Sequence, residues 1–134
     1  MKHILVLFAF IATSFIISSC KDDSTQVSNN IVNGDWRITY YYDKDKDETS
    51  DYAGMTFTFN DNGDVAVVSG TLNYSGTWST GNDDSKEKFY LTFSSPALLI
   101  EISDDWVIDS QSNSKIELSD DSDNGTELLT FEKT

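Results

Sequence analysis

Two acidic runs hold the side chains best suited to ligating a cation: Asp43-Lys44-Asp45-Lys46-Asp47-Glu48 and Asp120-Asp121-Ser122-Asp123-Asn124-Gly125. Carboxylates at alternate positions begin a calcium loop, but an EF-hand also needs glycine at its sixth place and glutamate at its twelfth. Counted from Asp43, those places hold Glu48 and Gly54, and lysines interleave the acids. Asp, Asn and Gly in the second run are ordinary turn residues. No metal site is assigned to either. Glycoside cleavage needs two acids about 5 to 10 Å apart, one with a raised pKa. The acids set among apolar strand residues are Glu101, Glu117 and Glu127, and all three are expected on the outward phase. The only histidine is His3 and the only cysteine Cys20. If both are spent at the amino terminus, no Ser-His-Asp or Cys-His pair, disulfide or His/Cys zinc site remains. The expectation is a non-enzymatic protein with no catalytic residue and no cofactor.

What spends them is legible at the amino terminus. Lys2 and His3 precede Leu5 to Ile17, an apolar run broken only by Thr13 and Ser14. As a helix it would reach about 20 Å, short of the roughly 30 Å of a bilayer's hydrocarbon. A positive start, a short apolar middle and small residues before a cut make a secretory signal peptide over residues 1–19. Ile17-Ser18-Ser19-Cys20 resembles the lipobox of bacterial lipoproteins. The resemblance implies cleavage before Cys20 and acylation of that residue, and stable anchoring takes at least two acyl chains. Lys21-Asp22-Asp23 resembles the export signal of lipoproteins displayed on the outer face of a Gram-negative outer membrane. Residues 20–33, polar and poor in large side chains, read as a flexible tether.

The chain carries 9 basic and 23 acidic residues in 134. Loss of residues 1–19 removes Lys2 and no acid, so the net charge moves from −14 to −15. Nucleic-acid binding rests on neutralising phosphates with Lys and Arg, so that partner is excluded. Lying on an anionic membrane is disfavoured for the same reason. About 100 residues beyond the tether suffice for one core. The expectation is a monomer that repels its like.

The elements that must position any site have period two. Trp36, Ile38, Tyr40 and Tyr42 alternate with Arg37, Thr39 and Tyr41, which puts Tyr40 inward and Tyr41 outward. Met55 to Asn60 repeats the alternation, Asp61-Asn62-Gly63-Asp64 makes a hairpin turn, and Val65 to Leu72 runs back. Tyr74, Gly76 and Trp78 share a face, and so do Phe89, Leu91 and Phe93. Pro96 interrupts the pattern, and Leu98 to Ile102 reads as either a strand or a helical turn. Trp106 to Ile108, Lys115 to Leu118 and Leu128 to Phe131 complete the strands. The fold class is all-β: a small antiparallel up-and-down barrel of about eight strands, which leaves no exposed edge.

Gly34-Asp35-Trp36 looks like the G-x-W signature of lipocalins. The Met55–Val65 hairpin, Ser75-Gly76-Thr77-Trp78, Trp106 to Leu118 and Phe131-Glu132-Lys133 resemble, in order, the small lipocalin-like domains of bacterial lipoproteins. The resemblance spans residues 34–134. True lipocalins are longer and pack an arginine over the tryptophan, where this chain has only Lys133. The resemblance implies a barrel that binds a small hydrophobic ligand in its interior or at its mouth. The inward aromatics Trp36, Tyr40, Phe57, Phe59, Trp78, Phe89, Phe93, Trp106 and Phe131 would then line a pocket or fill a core. The alternative is an envelope interaction protein with a solid core, meeting a protein or glycan through its loops.

Overall fold

A computed structural model describes residues 23–120, 122 and 125–134. Cys20, Lys21 and Asp22 lie outside the described residues. The period-two segments become strands β1 (Asp35–Asp43), β2 (Lys46–Asp47), β3 (Met55–Phe59), β4 (Asp64–Ser69), β5 (Leu72–Asp83), β6 (Lys86–Thr92), β7 (Asp104–Gln111), β8 (Lys115–Ser119) and β9 (Glu127–Lys133). Each pairs antiparallel with the next, except that the two-residue β2 pairs only with β1, which also meets β3. β9 returns to β1 from Trp36↔Lys133 to Asp43↔Glu127. Eight strands therefore close a barrel.

Turn chemistry sets the registers. Gly63, with φ +92°, donates to Asn60 O at 3.0 Å and closes the β3–β4 hairpin. Asp84 and Ser85 both take positive φ in the two-residue β5–β6 turn, the conformation that matches strand twist in tight hairpins. The run from Val65 to Leu72 is not one strand: Gly70, at φ +60°, turns the chain, and Leu72 opens β5.

Two expectations are corrected and one open reading is settled. The tether is no tether over Asp23–Ile31, which forms helix α1. Ser24, Val27 and Ile31 fall three and four apart on one face, and that face is buried. Two apolar side chains in a polar stretch are enough to dock the helix on the barrel. Tyr40 points out and is 37% exposed, while Tyr41 is 1% exposed. The β1–β9 register shifts between Ile38 and Tyr40, and one extra residue at a bulge exchanges the faces of all that follow. Leu98 to Ile102 resolves as helix α2 (Ala97–Glu101), with Leu99 and Ile102 buried.

The core is aromatic. Phe59 packs edge-on to Phe131, Phe89 and Trp78 at 5.6, 5.9 and 6.0 Å, and Phe57 meets Phe131 at 5.2 Å. The three indole N–H groups each bond a carbonyl in a closing segment. Trp36 Nε1 donates to Ile31 O of α1 at 2.8 Å, Trp78 Nε1 to Asn60 O at 2.8 Å, and Trp106 Nε1 to Ile102 O at 3.0 Å. Indole burial thus supplies both apolar area and a polar fastening. Lys133 Nζ lies 5.2 Å from the Trp36 ring centre, a cation–π contact. Gly34, at φ +85°, lets the chain turn beneath the Lys133 stem.

Candidate functional site

The aromatic set divides cleanly. Trp36, Phe57, Phe59, Trp78, Phe89, Phe93, Trp106 and Phe131 are all buried in one core with the aliphatic residues, and only Tyr40 leaves it. The rings of Phe57, Phe59, Trp78, Phe89 and Phe131 interlock across the space that a ligand would need. Recesses instead open on the surface, and one of them is lined mainly by acids.

Strand pairing builds that recess. The last pair of β1 and β9 sets Asp43 against Glu127, and Lys44 N donates to Thr126 O at 2.8 Å. Asp120, directly after β8, donates its N–H to Glu127 O at 3.0 Å. Asp104 opens β7 opposite Leu91. Together with Asp105, Lys44 and Lys88, the acids Asp104, Asp120 and Glu127 line an open recess of about 470 Å³. One carboxylate oxygen from each of these three acids lies within 4.8 Å of the others. The acids stand at the strand ends away from α1, which holds Trp36 at the start of β1 and bonds Gln111 at the end of β7.

Glu127 is not outward as expected, since it shares the phase of buried Leu129 and Phe131. Counting by twos from Phe131 would have found this. Burial pushes Glu127 up to about 7, helped by a hydrogen bond with Asp43 and the charges of Asp43, Asp120 and Asp104. Asp104 is also raised, chiefly by burial. Asp43 Oδ1 is sealed from solvent and meets no fixed donor. A proton on Glu127 is what a carboxyl–carboxylate pair there can share. The ammonium of Lys88, its side chain only 4% exposed, lies 3.4 Å from Asp105 O and 3.9 Å from Asp105 Oδ2. Of the other acids named from sequence, Glu101 is exposed on α2, and Glu117 accepts from Ser110 at 2.5 Å on the outer wall. Neither joins the recess.

No family model and no curated protein matches the chain. Among solved structures, the chain is similar to a DUF4847 family protein from Bacteroides vulgatus, with a TM-score of 0.57 and 13% identity. The match covers 81% of this chain and 97% of that one. At that identity the likeness is one of fold, and it supports the closed barrel.

A pH dependence follows from Glu127. Its folded pKa lies above its unfolded value, so between roughly pH 4.5 and 7 the folded state holds more protons. Stability should fall as pH rises through that window and level off above it. Discounted for solvent screening, the loss is about 1 kcal/mol. Glu127→Gln should flatten the dependence and melt higher than the parent at pH 8, as thermal denaturation would show. An equally steep profile in the variant would assign it to other groups.

Proposed function

We propose that this chain is a lipoprotein anchored through acylated Cys20 in a Gram-negative outer membrane and displayed outward. Its lipocalin-like barrel is a non-enzymatic scaffold that meets a protein or glycan partner on its outer wall and end loops. The carrying observation is the filled interior: Phe59 touches the rings of Phe57, Phe131, Phe89 and Trp78 where a ligand would sit. The lipobox and the Lys21-Asp22-Asp23 sequence support the address. Tyr40 and Tyr42 stack side by side on the outer wall at 6.4 Å, as aromatic contact residues do.

A second reading keeps a small hydrophobic ligand but moves it. β1 and β3 pair only at Asp35↔Thr58 and Trp36↔Phe57. Beyond that, a recess of about 570 Å³ opens over Ile38, Tyr52 and Met55. Native mass spectrometry of protein purified from membranes separates the two. The first reading expects the acylated chain without a stoichiometric small molecule, and loss of both acyl mass and membrane association in Cys20→Ser. A bound apolar molecule released by Met55→Trp would favour the second. An unacylated chain that remains in the membrane would sink the anchor.

A further inference from the structure

We propose that the open edge of β5 at Asn73 and Ser75 receives an extended, basic-ended segment of a partner protein as an added strand. The inference deepens the surface-binding reading and rests on it for the class of partner. β5 changes neighbours at Thr77, which pairs with both Asp64 of β4 and Thr92 of β6. Leu72 to Gly76 pair only with β4. Asp83↔Lys86 closes the two-residue turn, and from there every second residue of β5 turns its N–H and C=O to β6. The same parity runs through Thr77 to Ser75 and Asn73, which meet no strand on that side among the described residues. Past Thr92 the chain leaves the ladder: Phe93 N donates to Ser103 Oγ at 2.8 Å instead.

Other forks of the barrel are covered. Where β6 parts from β7, α1 lies across the gap. Asp23 N donates to Glu87 Oε1 at 2.9 Å, and Asn30 Nδ2 to Gln111 Oε1 at 3.1 Å. Where β1 parts from β3, the turn Thr49–Tyr52 fills in, and Tyr41 N donates to Thr49 Oγ1 at 2.9 Å. The β5 edge has neither cover nor guard. Natural edges are blunted by charge, proline or a bulge. Residues 65–82 hold no charged residue and no proline, and the β4–β5 register is unbroken. Leu72 and Val68, 57% and 43% exposed, stand at the tip of this hairpin.

Charge decides the occupant. A second copy would bring another net charge of −14. A segment with lysine or arginine at its ends is instead drawn in, and Asp64 lines the recess of about 600 Å³ that adjoins Ser75 and Gly76. In strand addition the main chain supplies affinity and alternate side chains supply specificity. Here every second side chain of the added strand would face Leu72 and Tyr74, so those positions are apolar.

The probe is a synthetic heptapeptide of alternating threonine and valine between terminal lysines. Titrated into the isotope-labelled full chain in detergent, it should shift the amide resonances of Asn73 and Ser75 and saturate, and slow their hydrogen exchange. N-methylation of the peptide amides that face β5 should abolish binding, whereas N-methylation of the alternate amides should leave it. Leu72→Asp should weaken binding at least tenfold, as should glutamate ends on the peptide. Tyr40→Ser should change nothing. Both substituted side chains are exposed, and near-ultraviolet circular dichroism confirms that each variant is folded. No saturable shift up to about 1 mM peptide overturns the inference and leaves a contact through Tyr40 and Tyr42 standing. Equal loss from both N-methyl patterns, or weakening by Tyr40→Ser, also overturns it. Asn73 and Ser75 resonances that move with protein concentration alone would make a second copy the occupant, against the proposal.

Discussion

Phe59→Ala should destabilise the protein by about 4 kcal/mol, because it empties the centre of the barrel. The ring meets those of Phe57, Trp78, Phe89 and Phe131 between 5.6 and 6.4 Å, and the side chain is 1% exposed. Each neighbour loses a packing partner, and the strands cannot collapse inward without breaking the ladder that closes β9 on β1. For a domain of this size the melting temperature should drop by roughly 20 °C. Phe59→Leu keeps much of the apolar volume and should cost under half as much. The alanine variant should also gain affinity for a benzene-sized probe, since engineered apolar cavities stay dry and take such molecules. A loss below about 1 kcal/mol in urea denaturation would mean that the interior has slack, and the ligand-carrier reading would return.

Gly76→Ala should cost about 3 kcal/mol for the opposite reason, too much matter rather than too little. A Cβ at Gly76 would lie 2.4 Å from the carbonyl oxygen of Thr92 and 2.5 Å from the Phe93 ring. Backbone on one side and a buried ring on the other leave no easy retreat. The next residue, Thr77, pairs with both Asp64 of β4 and Thr92 of β6, so Gly76 sits where β5 passes from one neighbour to the other. Glycine serves here for close approach of backbone, since its φ is not in the left-handed region. Gly54→Ala makes the useful comparison. Gly54 has φ +79° and open space around its α-carbon, so its loss should cost only about 1 kcal/mol of backbone strain. Equal melting temperatures for the two variants would refute the steric account.

The barrel was legible because alternation is a local property, and the strands carry it plainly from Met55 to Phe59 and from Phe89 to Phe93. What failed was the phase beyond an irregularity. Nothing in Tyr40-Tyr41-Tyr42 announces a bulge, as three identical side chains satisfy either register and the partner strand decides. Helix α1 was missed because its stripe is only Ser24, Val27 and Ile31, and its value comes from a barrel end that the sequence cannot display. The acidic recess was hidden for a different reason. Each acidic run was weighed as a linear loop, and neither is the site. The fold instead takes Lys44 from one run and Asp120 from the other, and joins them to Glu127 and Asp104 from separate strands. Only the direction of Glu127 was recoverable beforehand, from its spacing to Leu129 and Phe131.

Helix α1 has a consequence for how an acidic molecule could stand on an acidic membrane. With acylation at Cys20 as proposed, two residues separate the anchor from Asp23, and the three chain steps reach about 11 Å at most. The helix then holds the barrel by the end where Trp36 begins β1. Nine residues of β1 run about 30 Å, or roughly 20 Å along the axis at a typical barrel tilt, before Asp43 is reached. The Debye length at physiological salt is about 8 Å. The carboxylates at the far end would therefore stand more than two screening lengths above the headgroups, so lipid phosphates would neither repel them nor draw off their counterions.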